Sequence, residues 1–321
     1  MILIKASISS ITSTVVGKTM ELRKSLDLQA GSIMTALTMI WGLQQIFLKM
    51  VAADIAPILQ LAIRSGCSAL LIILLFRHQA LSGFFQKALF KAGCKVAVLF
   101  SLEFLLVAES LHYTYASHSI VLLYTAPIFV ALALHFQLPS ERLNRMQWLG
   151  IGITFFGLLV AFLWNDQSSS QDIQRVLWGD ALALGAGVAL GTTTVTVRLS
   201  VLSEAPATQT LSYQLIGSFI ILSLFALLTG QTLIHFTPLV LTSLTFQIVV
   251  VSFASFLVWF WLLKQYVASG LGIFSFLTPI FGVLFSVILL HEHIELNFIV
   301  GAVFVFLGIV VMNFFSRRSR T

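Results

Sequence analysis

Apolar residues run through this chain in long unbroken stretches, not in the one-faced or alternating patterns of soluble helices and strands. Ten stretches stand out, at about 30–48, 57–76, 95–112, 116–137, 147–164, 177–198, 207–229, 241–263, 268–290 and 297–315. A helix needs roughly 20 apolar residues, at about 1.5 Å each, to cross the hydrocarbon core of a bilayer. The breaks are polar: Ala53–Asp54, Pro139–Ser140–Glu141–Arg142 and Asn165–Asp166–Gln167. A spanning β-barrel needs segments of about 10 residues with alternating polarity. Leu71–Phe76 and Ile220–Leu228 show no alternation and belong to longer apolar runs. The pattern predicts an all-α integral membrane protein with ten transmembrane helices.

Composition agrees with that reading. Of 321 residues, 58% are hydrophobic and 9% are charged, and the mean hydropathy is +1.00. Soluble domains carry about 25% charged residues to cover a wet surface, so a water-soluble enzyme is excluded. Cys67 and Cys94 form neither a disulfide framework nor a zinc spacing. No Walker loop or HExxH motif occurs, so neither a metal nor another cofactor is expected.

The net charge of +6 would suggest nucleic acid in a soluble protein. Here it reads as topology. Lys5, Lys18, Arg23, Lys24, Arg77, Lys87, Lys91, Lys95, Arg142, Arg145, Arg198, Lys264, Arg317, Arg318 and Arg320 fall on one set of span ends, 15 of the 18 basic residues. Lys49 and Arg175 fall on the other, and Arg64 lies within a span. Cytoplasmic loops collect Lys and Arg, so both termini are expected in the cytoplasm of a bacterial-type inner membrane. Residues 1–29 read as a cytoplasmic tail, and Met20 is an alternative start.

The chain also repeats itself. Ala116–Ser117 and Thr125–Phe129 resemble Ala268–Ser269 and Leu277–Phe281 at an offset of 152. Glu141, Gly150 and Gly157 match Glu292, Gly301 and Gly308 at 151; Gly42, Lys49 and Pro57 match Gly191, Arg198 and Pro206 at 149. The first five-helix repeat is read over 30–164, an external linker over 165–176, the second repeat over 177–315 and a cytoplasmic tail over 316–321. Five spans per repeat is odd, so the halves must run in opposite directions, an arrangement typical of secondary transporters.

These residues carry a resemblance. Trp41–Gly42 with Lys49, Pro57 with Arg64, Ala116–Ser117 through Pro127, Glu141–Arg142 and the glycines of the fifth span, repeated through Pro279 and Glu292, resemble the ten-helix EamA family of the drug/metabolite transporter superfamily. The resemblance covers about residues 30–315. It implies a carrier of small metabolites in the inner membrane, commonly an exporter of amino acids or related compounds.

Several residues are candidates for the transport itself. Glu103 lies mid-span, where a carboxylate costs about 2.5–3.5 kcal/mol on insertion scales. Arg64 falls at similar depth in the antiparallel second span. The two form either a structural pair or a site in which Glu103 takes a cationic group or a proton. Ser255 and Tyr213 occupy the equivalent positions of the second half, so the repeat does not require this pair. Thr38, Trp41, Gln45 and Lys49 make a polar stripe on the first span, expected to face the interior. Trp41, Gln45, Tyr124 and Trp259 are read as substrate-lining. Thr192, Thr196, Tyr213, Gln214 and Ser275 are further lining candidates.

Pro127 and Pro279 remove backbone hydrogen bonds near mid-span and are read as gating flex points. Glu109 and His112 read as a solvated pair, His118 and His135 as hydrogen-bonded packing groups, and His291, Glu292 and His293 as a polar loop. The glycines of the fifth and tenth spans suggest supporting helices or a homodimer contact.

The expected function is secondary transport of a small metabolite, an amino acid or related zwitterion or amine. Alternating access within the lipid bilayer would carry it, with proton coupling through Glu103 as an added feature. Export follows from the resemblance alone, with import or exchange as the alternative. A channel lacks a reason for the duplication. An intramembrane enzyme lacks a nucleophile–base or metal set, and nucleic acid is not a partner.

Overall fold

A computed structural model describes residues 27–137, 142–163, 170–266, 274–275 and 277–318. The N-terminal tail, Glu141, Ala268 and Ser269, the start of the 165–176 linker and the last residues lie outside the described residues. Among the described residues there is no strand, only a single bridge between Ile55 and Ile234.

The helices are α1 Leu28–Met50, α2 Pro57–Leu81, α3 Lys87–Tyr113, α4 Ala116–Leu123, α5 Ala126–Gln137, α6 Arg145–Leu163, α7 Ser170–Arg198, α8 Ala207–Leu228, α9 Pro238–Thr245, α10 Phe256–Gln265, α11 Leu277–Leu290 and α12 Leu296–Arg318. A π-helical run, Phe246–Ser255, joins α9 to α10. Among the described residues, six helical segments, some of them interrupted, are long and apolar enough to cross a membrane, and three shorter apolar helices accompany them.

Two expected boundaries move. The apolar stretches 57–76 and 95–112 leave the basic segment between them outside the predicted spans, yet α2 runs to Leu81 and α3 begins at Lys87. Bilayer thickness bounds the apolar window, not the helix. Lysine and arginine side chains can extend beyond that window while their backbone stays helical. The span 116–137 is interrupted at Tyr124–Thr125. Pro127 therefore sits in the first turn of α5, where a missing N–H is tolerated. The Thr125 hydroxyl donates to the Leu122 carbonyl at 2.6 Å and satisfies one acceptor at the break. Pro279 likewise sits in the first turn of α11.

α2 packs on α8, α3 on α7, α1 on α11 and α6 on α12. The largest apolar core gathers Ile58, Leu61, Phe104, Val107, Leu215 and Leu222 between α2, α3 and α8. The glycines of α6 and α12 serve this chain's own packing. A Cβ on Gly157 would lie 2.6 Å from the Gly301 carbonyl oxygen, and one on Gly308 would lie 2.5 Å from that of Gly150. Only Gly152 of this group faces open space.

Candidate functional site

A buried polar face runs through the apolar core. It carries Gln60, Arg64, Ser65 and Ser68 of α2, Glu103 of α3 and Gln247 of the π-helical run, with Ser252 and Ser255 buried further along that run, while Ser101 of α3 meets Ser218 of α8 at 3.3 Å instead. Arg64 is 2% exposed and Glu103 4%. On α2 the polar positions 60, 64 and 68 recur every four residues, which places them on one face, with Ser65 at its edge.

Arg64 is held from two sides. Its Nη1 donates to Gln247 Oε1 at 3.2 Å, and its guanidinium lies 4.5 Å from the centre of the Phe104 ring. Glu103 senses the Arg64 charge, but no N–O distance of 4.0 Å or less makes them an ion pair. The structural-pair reading is therefore not what the geometry gives. Glu103 Oε2, Arg64 Nε, Gln247 Nε2, Ser252 Oγ and Gln45 Oε1 are all buried without a hydrogen-bond partner. An unsatisfied buried group costs about 1–3 kcal/mol, more if charged, so such a concentration needs a reason.

Gln247 was not singled out from the sequence. It is the one amide in an otherwise apolar and hydroxylated run, Thr245–Ser255, and that contrast was the available signal. It lies at the start of the π-helical run. Such irregular turns shift side chains off the α-helical register and are frequent at functional sites.

The other candidates divide into groups. Tyr124 lies at the helix break and senses the charge of Glu103, with Thr278 as its neighbour. Trp41 donates from Nε1 to Ser255 Oγ at 2.9 Å and meets Trp259 edge-on at 5.8 Å between ring centres. Ser255 lies eight residues beyond Gln247, about two turns along the helix. The tryptophans thus form a separate aromatic layer. Gln45 is buried at 3% exposure on α1, which packs against the π-helical run.

Tyr213 is not part of this face. Its hydroxyl donates to the Phe84 carbonyl and its ring stacks on Phe84 at 4.0 Å. Thr192 and Thr196 face outward, bonded to the carbonyls of Val188 and Thr192. With Lys91 and Lys95 they line a cleft of about 580 Å³ between α3, α5 and α7.

A second charged cluster lies at the other end of the bundle from Phe84. Lys49 Nζ is 3.5 Å from Glu292 Oε1 and also donates to the Thr114 carbonyl. Glu292 Oε1 accepts from the Ala116 N–H at 2.7 Å. Its Oε2 accepts from the Ser117 N–H at 3.1 Å and the Ser117 hydroxyl at 2.8 Å. The carboxylate therefore sits on the N-terminus of α4, where helix dipole and free N–H groups favour an anion. Beside it, Asp180 accepts from Thr114 Oγ1 at 2.5 Å and lies 3.1 Å from His118 Nδ1. His118 stacks on Phe298 at 4.1 Å, and His135 Nδ1 accepts from the Leu143 N–H at 2.9 Å. Both histidines are thus hydrogen-bonded packing groups. Glu109 bonds to Gln231 at 3.4 Å, not to His112 as the sequence spacing suggested.

Known proteins bear on this architecture. The model of the EamA-like transporter family matches residues 29–163 and again 177–314. The "Uncharacterized transporter YoaV" of Bacillus subtilis is 28% identical over 288 residues, covering 88% of this chain and 97% of that protein. An "Uncharacterized transporter" of Archaeoglobus fulgidus is 24% identical over 215 residues, covering 67% and 71%. One crystal structure superposes with a TM-score of 0.64 over 90% of this chain and 99% of that one, at 17% identity, a likeness of fold alone. With both halves matched, the chain belongs to the EamA-like transporter family.

Proposed function

We propose that this membrane protein is a secondary carrier for a small zwitterion, an amino acid or related amine, bound between Arg64, Glu103 and Gln247. The carrying observation is the set of unpartnered polar atoms on the buried side chains of Arg64, Glu103 and Gln247. Arg64 and Gln247 offer N–H donors to a carboxylate, and Glu103 offers an acceptor to an ammonium. A ligand with both groups satisfies both sides at once, which recovers part of the cost of burying them. Without an ammonium, Glu103 is free to take a proton, which gives coupling a place in the same site. Tyr124 borders that site, and Trp41 and Trp259 supply an aromatic wall about two turns away.

The carrier works by alternating access between two inverted repeats of five transmembrane helices. The duplicated family match supports the repeat. So does the packing of α2 on α8 and α6 on α12, corresponding helices of the two halves. The helix breaks ahead of Pro127 and Pro279 are the paired flex points. The basic rim supports cytoplasmic termini in an inner membrane, and export as the direction rests on the family resemblance alone.

Purified protein in vesicles, screened with labelled amino acids, amines and adenosyl metabolites with and without a pH gradient, tests this. The expected result is saturable flux of at least one zwitterion, lost in Glu103→Gln. Non-saturable flux would make the protein a channel, and turnover of lipid or peptide would make it an enzyme.

A further inference from the structure

Glu292 joins parts of the chain that are far apart in sequence. It follows α11, whose C-terminus turns through His291 at a left-handed φ of 52°. The Glu292 N–H closes back on the Ser286 carbonyl at 3.3 Å. That turn sets the carboxylate against Ala116 and Ser117 of α4 and against Lys49 at the end of α1. Its side chain is 6% exposed and that of Lys49 26%. One carboxylate from the second half thus clasps two separate segments of the first.

α11 is a 14-residue helix. It carries Pro279 in its first turn and is tied down at its last by Glu292. It packs on α1 and α4, the two helices whose ends Glu292 holds. Further crossings reinforce this end: the His235 N–H donates to the Asp54 carbonyl at 2.9 Å, and Gln231 reaches Glu109. Of these contacts, only the Glu292 cluster combines an ion pair with three donors on one residue.

We infer that Lys49 and Glu292 are the gating pair of this end: Arg64 and Glu103 open toward it only when the Glu292 carboxylate leaves the α4 N-terminus and Lys49. The inference rests on the alternating-access reading above. Charge-assisted hydrogen bonds of this kind are the strong ones, so the closed state is held by contacts that separate together. Lys49 and Glu292 are gating residues and not substrate ligands. Their loss shifts the balance of open and closed states and leaves the Arg64–Glu103 chemistry in place.

The test uses full-length protein carrying Cys67→Ser and Cys94→Ser, with Ser252→Cys as a reporter beneath the gate, in nanodiscs. A membrane-impermeant thiol reagent should label the reporter roughly tenfold faster or more in Lys49→Gln and in Glu292→Gln, the change expected from losing a charged hydrogen-bond set. Labelling no faster in either variant than in the parent reporter protein, with both variants monodisperse, would overturn the gate.

A second arm avoids any folding defect. In vesicles, Lys49→Cys with Glu292→Cys is joined by a short bis-methanethiosulfonate linker, and glycine, leucine and lysine flux is measured before and after. Flux should fall at least tenfold on linking and return with dithiothreitol. Flux that survives linking overturns the gate and leaves the carrier intact. Wild-type protein without saturable flux counts against the carrier reading, while the labelling arm still decides whether this end is held shut by the pair.

Discussion

Glu292 and Glu103 are both buried carboxylates with a cation nearby, yet their oxygens are treated differently. Both oxygens of Glu292 are engaged, by Lys49, by two backbone N–H groups and by the Ser117 hydroxyl. Glu103 has an oxygen with no partner, and Arg64 keeps its Nε free while giving Nη1 to Gln247. Burial of charge costs several kcal/mol per ion unless geometry compensates. At Glu292 the compensation is complete within the protein, so the cluster fastens helices. At Glu103 it is incomplete, which is the feature the proposed substrate site rests on.

The sharpest way to break this comparison is to remove the incomplete cluster. Arg64→Met with Glu103→Leu replaces two under-satisfied charges by apolar groups of similar length, a change that is often neutral or stabilising. Melting in detergent should not fall, while zwitterion flux drops by about 100-fold or more, the loss of roughly 2.7 kcal/mol of recognition. A melting loss as large as the flux loss would mean that the pair is structural after all.

The complete cluster should answer the other way. Glu292→Ala leaves Lys49 with the Thr114 carbonyl alone and the two α4 N–H groups without their acceptor, and should cost about 1.5–3 kcal/mol, the value for hydrogen bonds to a charged group. Thermal unfolding of the purified variant reads this directly. Asn at position 292 should recover less than Gln, because its amide is one methylene short of the α4 N-terminus.

Gln247→Glu gives Arg64 a charged partner within the protein. Arg64 then gains a carboxylate in place of an amide acceptor, and the fixed ion pair competes with substrate. Flux should fall about tenfold, equivalent to about 1.4 kcal/mol, with melting unchanged or raised. Unaltered flux would show that Arg64 is not a substrate contact.

Much of this was legible in sequence. The apolar stretches, the two halves and the mid-span Arg64 and Glu103 follow from how few residues can face lipid unpaired. What was hidden depends on pairing across the halves. Lys49 reads as an outer cation on the first polar stripe and Glu292 as a repeat match in a polar loop, and nothing in the sequence pairs two residues 243 positions apart. Gln247 gained importance through a π-helical register that no apolar window encodes. Tyr213 shares its repeat position with Arg64 yet packs on Phe84, a contact that the repeat offset does not encode. The glycines of α6 and α12 were legible as a smooth surface, but not which surface they meet.

The smallest effect concerns Asp180, which supports the complete cluster without belonging to it. It holds Thr114 through Oγ1 and His118 through Nδ1, and the Thr114 carbonyl in turn receives Lys49. Asp180→Asn keeps the shape and one acceptor oxygen but loses the charge, so it weakens these bonds without stranding Glu292. The expected cost is about 1 kcal/mol, a typical net hydrogen bond, seen as a modest drop in melting temperature. Flux should stay within about twofold of wild type, because neither Arg64 nor Glu103 is touched. Combined with Glu292→Ala, the two losses should fall short of adding, since residues sharing one network couple. Strict additivity would place Asp180 outside the cluster and reduce the fastening to Lys49, Glu292 and the α4 N-terminus alone.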